Sequence, residues 1–270
     1  LIPTLFEFGP IQIHSYGLAL AIAFVIGTQL ALAEAARRRL PESRLASLCL
    51  WILALAVVGS RLAYVASHAG SYAGRWLDAF KLWEGGLTMY GGFVAALVGS
   101  LVYVRWHALP AAQVFDAFSP AIALGSGITR IGCFLNGCCY GKPCDLPWGM
   151  TFHQDSFAGA TFPGVPLHPT QLYLSVAGFA NFALLWSLRK RLERQPGRLF
   201  FLFLLIESSS RFAIDFLRHY DPNGESIVLL GMSLSLTQVV CLGLVVIALA
   251  GLLRGARRGA RPAAVAAASR

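Results

Sequence analysis

FFLFLLIESSSRFAIDFLRHY, residues 200–220, is apolar enough to be placed in a membrane, yet it sets Glu207, Arg211, Asp215 and Arg218 along one face of a helix. Charges inside a bilayer are costly, and those that persist face a bundle interior or a watery cavity and mark function. This one stretch therefore predicts both a membrane fold and the region where a site should be sought.

The rest of the chain agrees with that class. Of its 270 residues 56% are hydrophobic and only 13% charged, with mean hydropathy +0.62. An ordinary soluble domain carries roughly 25% charged residues, so the composition excludes one. Apolar runs of about 17–25 residues cross the hydrocarbon core as helices, and such runs fall at 15–36, 46–67, 87–104, 114–131, 171–188, 199–217 and 236–253. The fold expected is all-α and polytopic, with about seven transmembrane helices and a small extracytoplasmic loop region. The run 114–131 is the weakest, because it contains Asp116, Pro120 and several glycines. The first run is too long and too lightly flanked for a cleaved signal peptide and reads as a retained span.

Basic residues set the orientation. Most of the 22 lysines and arginines follow alternate runs: Arg37, Arg38, Arg39 and Arg44, then Arg105, then Arg189 to Arg198, then Arg254 onward. The positive-inside rule places those loops in the cytoplasm, the N-terminus outside and the C-terminus inside. Topology thus accounts for most of the net charge of +9, and no nucleic-acid partner is needed. Residues 254–270 read as a basic, disordered cytoplasmic tail able to touch anionic membrane lipids. The connections 72–86, 132–170 and 218–235 face outward, and almost every unusual polar residue lies in or beside them.

GSGITRIGCFLNGCCYGKP, 125–143, closes the fourth run. Its glycines allow tight turns and close backbone approach, while Arg130 and Asn136 bring donors to the membrane surface. The plainer reading is a glycine-rich helix end with Arg130 snorkelling to the interface. Arg211, Asp215 and Arg218 likewise could be only a self-compensating ion-pair stripe. Two arginines converging from different helices, however, suit a phosphate-bearing ligand, since the guanidinium fork matches phosphate oxygens and keeps its charge. In this setting the phosphate is that of an anionic phospholipid. Taken alone, Tyr90 and Tyr16 read as interface-belt aromatics and His168 as a structural hydrogen bonder. Cys133, Cys138, Cys139 and Cys144 cluster on the outward side, where a disulfide could form. Zinc with His168 would lack a CxxC pair, and Cys49 and Cys241 read as buried apolar residues.

At these residues the chain resembles the bacterial prolipoprotein diacylglyceryl transferase family. The opening IPTLFEFGPIQIHSYGLAL, the GGLTMYGG element at Gly85–Gly92, the signature from Arg130 to Gly141, HPTQLY from His168 and the Arg211–Asp221 element occur in family order over nearly the whole chain. Typical members carry His at Tyr90, Asn at Cys133, Glu at Cys138, Glu at Leu174 and Glu at Asp215, so the resemblance is to a divergent branch containing Tyr and Cys. It implies one transmembrane catalytic domain over residues 1–253. It also implies phosphatidylglycerol as donor and the lipobox cysteine of a prolipoprotein as acceptor, in the bacterial cytoplasmic (inner) membrane.

The expected chemistry is thioether formation with glycerol phosphate as leaving group. Arg130 and Arg211 are the candidates for holding the phosphate, oriented by Arg218 and Asp215. Asn136, Gly137 and Gly141 would shape the headgroup pocket, Tyr16 and His168 would line the substrate side, and Tyr90 would donate a hydrogen bond to the phosphate. As a phenol with an ordinary pKa of about 10, Tyr90 is a poor base. The acceptor thiol is instead expected to ionise in the field of the arginines. No metal or organic cofactor is called for. A paralogue with the same donor and another acceptor, a thiol oxidoreductase using the cysteines, and a non-catalytic lipid binder are the competing expectations.

Overall fold

The computed structural model describes residues 4–8, 11–72, 74–81, 85–220, 226–229 and 232–268, and side-chain surroundings within 14–72, 74–81, 85–220 and 233–255. An antiparallel pair, β1 (Thr4–Phe8) and β2 (Ile11–His14), sets Phe8 opposite Ile11 and leads into α1 (Ser15–Arg37). Then come α2 (Glu42–Ser67), α3 (Met89–Trp106), α4 (Ala111–Leu135), the short α5 (Phe157–Thr161), α6 (Thr170–Leu188) and α7 (Arg198–Asp215). A second antiparallel pair, β3 (Ser226–Leu229) and β4 (Met232–Ser235), precedes α8 (Leu236–Ala268), so helical backbone continues through the basic stretch after Arg254.

Among the described residues six helices are long and apolar enough to cross a membrane: α1, α2, α3, α4, α6 and the Leu236–Gly255 part of α8. The run 199–217 differs, because α7 carries Arg198, Glu207, Arg211 and Asp215 within its 18 residues. Large apolar side chains such as Leu50, Trp51, Phe93, Val176 and Val246 are exposed, whereas Glu34, Arg61, Asp116, Gln171, Asn181 and Asp215 are buried. That distribution reverses the rule for a protein surrounded by water. The chain is an all-α, multi-pass membrane protein.

The chain divides into two compact units, Leu32–Val114 on one side and Leu1–Ala31 with Phe115–Arg270 on the other. In the first unit small residues let α2 and α3 touch backbone to backbone. A methyl group on Gly91 would lie 2.5 Å from the Gly59 carbonyl oxygen, and one on Gly92 would lie 2.7 Å from that of Ala56. Such contact is how helices associate in lipid, where burial of apolar surface offers no driving force. Arg61, buried on α2, then fastens the connection to α3 by donating to the carbonyls of Asp78, Ala79, Lys81, Gly85 and Gly86.

In the second unit α4 and α6 meet at paired glycines, where a methyl group on Gly178 would stand 2.8 Å from the Gly127 nitrogen. Ser175 donates to the Gly127 carbonyl at the same crossing, over 2.9 Å. Ala123, Leu185, Leu199 and Phe203 form the apolar core beside it. The first residues of α7 follow Gly197, which has no side chain to cap a helix. Asp116 of α4 does this instead, accepting from the backbone N–H of Gly197 and of Phe200, each at 2.8 Å. The polar residue that weakened the fourth apolar run is thus a helix cap supplied from a neighbouring helix.

Candidate active site

The charged face of α7 is built residue by residue into the second unit. Glu207 accepts from Ser126 of α4 at 2.9 Å and from Asn181 of α6 at 3.2 Å, which ties three helices together inside the bundle. One turn on, Arg211 pairs with Asp215 through Nη2 and Oδ1 at 3.1 Å. Asp215 has a fully buried side chain and also accepts from the Tyr220 hydroxyl and the Ser235 hydroxyl, each at 2.6 Å. Ser235 is held in turn by a reciprocal cap on α8: its hydroxyl accepts from the Gln238 N–H, and the Gln238 side chain accepts from the Ser235 N–H. With both oxygens occupied, Asp215 is suited to fixing Arg211.

Arg211 keeps one donor in reserve. Its Nη1 is buried and has no hydrogen-bond partner among the described residues. Leaving such a group unsatisfied costs about 1–3 kcal/mol, more when it is charged. Arg211 also lies in the electrostatic field of Arg218 and Arg130. Arg218 stacks over the Tyr220 ring at 5.1 Å, and half-buried Arg130 makes no hydrogen bond or ion pair among the described residues. Three cations converging around the spare donor of Arg211 form a place for a multiply charged anion.

The signature following Arg130 owes its shape to one turn. Gly137 lies in the left-handed region, φ 68°, just past the end of α4. Its N–H bonds the Phe134 carbonyl and the Cys138 N–H bonds the Cys133 carbonyl, each at 3.1 Å, the paired bonds of a Schellman cap. Gln171 and Thr170, at the start of α6, donate to the carbonyls of Cys138 and Cys139 at 2.8 and 2.9 Å. Gly141 donates to the His168 carbonyl, Lys142 to the Leu217 carbonyl and His219 to the Tyr140 carbonyl. A methyl group on Gly141 would sit 2.5 Å from His168 Cβ and 2.8 Å from the Leu217 oxygen, so only glycine fits where the three strands of chain meet. His168 serves through its backbone, while its ring Nδ1 lies 3.4 Å from the Tyr173 hydroxyl.

A similar close approach brings in α1. A methyl group on Gly132 would lie 2.6 Å from Ala19 Cβ and 3.3 Å from Tyr16 Cα. The half-buried Tyr16 phenol consequently shares the field of Arg130 and of Cys133, Cys138 and Cys139. Asn136 stands within hydrogen-bonding reach of Cys138. All six cysteines are free thiols. Cys139 ionises far more readily than an ordinary thiol, chiefly because Cys133 and Cys138 hydrogen bond to it and then because Arg218 and Arg130 stand nearby.

The sequence model described as "Prolipoprotein diacylglyceryl transferase" matches residues 3–254. The chain belongs to the prolipoprotein diacylglyceryl transferase family. Curated relatives named phosphatidylglycerol–prolipoprotein diacylglyceryl transferase are similar over most of their length. That of Parasynechococcus marenigrum is 34% identical over 229 residues, covering 82% of this chain and 81% of its own. That of Cupriavidus pinatubonensis is 34% identical over 266 residues, covering 96% and 93%. That of Bordetella parapertussis is 34% identical over 229 residues, covering 81% and 83%.

Within this prolipoprotein diacylglyceryl transferase family member, the second unit gathers Tyr16, Arg130, Asn136, Gly137, Gly141, His168, Arg211, Asp215 and Arg218. Tyr90 belongs to the other unit, at the start of α3, where it is exposed. Asp221, the last residue of the Arg211 element, lies outside the described residues. Leu174, at a position where the resemblance implies Glu, is a buried apolar residue of α6. Ser235, Asn181 and Ser126 are not legible in the order of residues, since nothing there announces a partner 20 to 81 positions away, and Tyr220 acts only after α7 has ended. Only the SLTQ pattern at 235–238 carried a readable signal, that of a capping box.

Proposed function

We propose that this chain transfers the diacylglyceryl group of phosphatidylglycerol to the lipobox cysteine of a prolipoprotein. The acceptor sulfur attacks the terminal glycerol carbon, a carbon–sulfur bond forms, and the carbon–oxygen bond to phosphate breaks. The electron pair leaves with glycerol phosphate, which also takes up the thiol proton. The observation that carries this reading is the buried Nη1 of Arg211, unpartnered among the described residues, within the field of Arg130 and Arg218. A fixed donor aimed at the leaving phosphate stabilises charge as it develops and needs no reorganisation during the reaction. Asp215 holds Arg211 in place, Arg218 adds its charge to the same pocket, Tyr16 and Asn136 line the headgroup side, and Gly137, Gly141 and His168 set the shape of the loop around it.

The catalytic domain is residues 1–253, with 254–270 as a basic cytoplasmic tail. The enzyme works in the bacterial cytoplasmic (inner) membrane with its N-terminus outside, so the lipobox peptide approaches from the extracytoplasmic side. The relatives' printed names support the donor and acceptor classes. The test is mass spectrometry of a lipobox peptide incubated with purified protein and phosphatidylglycerol. Arg211→Ala should lower the thioether product by about 100-fold or more while the protein stays folded, and Tyr90→Phe should lower it less. Full activity in Arg211→Ala would remove the phosphate role. Glycerol phosphate release that ignores the peptide would point to a different acceptor.

A further inference from the structure

Cys133, Cys138 and Cys139 take no part in the proposed transfer, yet their side chains are gathered at one point of the second unit. Their Sγ atoms all lie within 4.8 Å of one another. The Schellman turn explains half of this, because it routinely brings the side chain of the third-last helical residue against that of the second residue beyond the cap, here Cys133 and Cys138. The other half comes from Cys139, held at φ 63° so that its side chain returns toward the same point. Hydrogen bonds from Gln171 and Thr170 fix the carbonyls of Cys138 and Cys139, and Cys133 is buried.

In a trigonal site with metal–sulfur bonds of about 2.3 Å the three sulfurs stand about 4 Å apart. Small side-chain rotations close the observed group onto that geometry. Among the described residues no His, Asp or Glu joins the three thiols at ligating distance. Soft thiolates suit cuprous copper as well as zinc, but zinc in structural sites almost always takes four ligands, so a group of three favours copper. Three thiolates around a monovalent ion carry a net charge of minus two, and Arg130 and Arg218, both close enough to act on Cys139, offset it.

We propose that Cys133, Cys138 and Cys139 form a three-sulfur site for cuprous copper. Binding releases three thiol protons to solvent and forms three copper–sulfur bonds, and neither copper nor sulfur changes oxidation state. Arg130 and Arg218 also serve the proposed phosphate site, but copper retention is read without lipid or peptide, so its outcome is separate from that of the transfer reading.

The test uses the full-length protein in detergent, with thiols reduced, titrated anaerobically with cuprous ion against a competing chelator. One equivalent should be retained per chain, with three sulfur neighbours by X-ray absorption. Cys138→Ser and Cys139→Ser should each weaken retention at least about tenfold, while Cys144→Ser leaves it unchanged. Should a serine variant fold poorly, alkylation of the wild type followed by peptide mass spectrometry gives a second readout: copper should shield the three clustered thiols and spare Cys144 no differently from the apo protein. No retained copper, retention that survives both serine substitutions, or a disulfide within the cluster together with loss of binding would each overturn the site.

Discussion

At Tyr220 a single hydroxyl joins the functional pair to the rest of the unit, donating to Asp215 at 2.6 Å and accepting from Arg211 at 3.4 Å. Burial first, and the bond to Asp215 second, raise its pKa above the ordinary phenol value. The folded protein therefore holds this proton more tightly than the unfolded chain does. The stabilisation is fully present below about pH 10, the unfolded value, and is lost as pH rises through the folded one. Tyr220→Phe should lower the thermal midpoint at neutral pH, and the gap to wild type should narrow as pH climbs past about 10. A gap that stays constant from neutral to alkaline pH would mean that the hydroxyl is not coupled to Asp215. The i, i+4 relation of Arg211 and Asp215 was legible in the order of residues, because a helix puts such positions together. Tyr220 was not, since it acts after the helix has ended and its role depends on how the chain turns back.

Among the elements, α7 takes the cap of its first turn from a neighbouring helix. Its N-terminal N–H groups are satisfied by Asp116 across 81 and 84 positions of sequence. Asp116→Ala should cost about 1–2 kcal/mol, the usual loss for a removed cap, and should lower the thermal midpoint. Asp116→Asn keeps one of the two accepting oxygens and so should lose less than the alanine variant, though not nothing. No loss in the alanine variant would remove the capping role. The apolar runs were readable because hydropathy is local, and the small residues on α3 were readable as a packing face because Gly91, Ala95 and Gly99 recur every four positions. Asp116 looked like a flaw for the opposite reason: its worth lies wholly in a partner that local composition cannot reveal. The turn at Gly137 falls between these cases. Its glycine promised a tight turn, but the sulfur group that the turn creates required the positive φ of Cys139 as well.

For the molecule as a whole, apolar groups outside and ionic groups inside define what lipid surrounds, while the distribution of arginines sets which end faces which side. Arg37, Arg38, Arg39 and Arg44 follow the first apolar run, and Arg189, Arg191, Arg194 and Arg198 the fifth. Several loops carry the bias, so no single cluster should control it. The expected topology is checked with reporters that work on only one side of the membrane. A fluorescent protein that matures only in the cytoplasm, fused after Arg270, should fluoresce, and alkaline phosphatase fused after Cys144 should be active, because its folding needs the oxidising outer side. Changing Arg37, Arg38, Arg39 and Arg44 together to Gln should weaken but not invert this pattern, since the loops after the third, fifth and seventh runs still oppose export. The reversed pattern in the unaltered protein would place the convergent arginines on the cytoplasmic side, where a secreted acceptor peptide could not reach them after translocation.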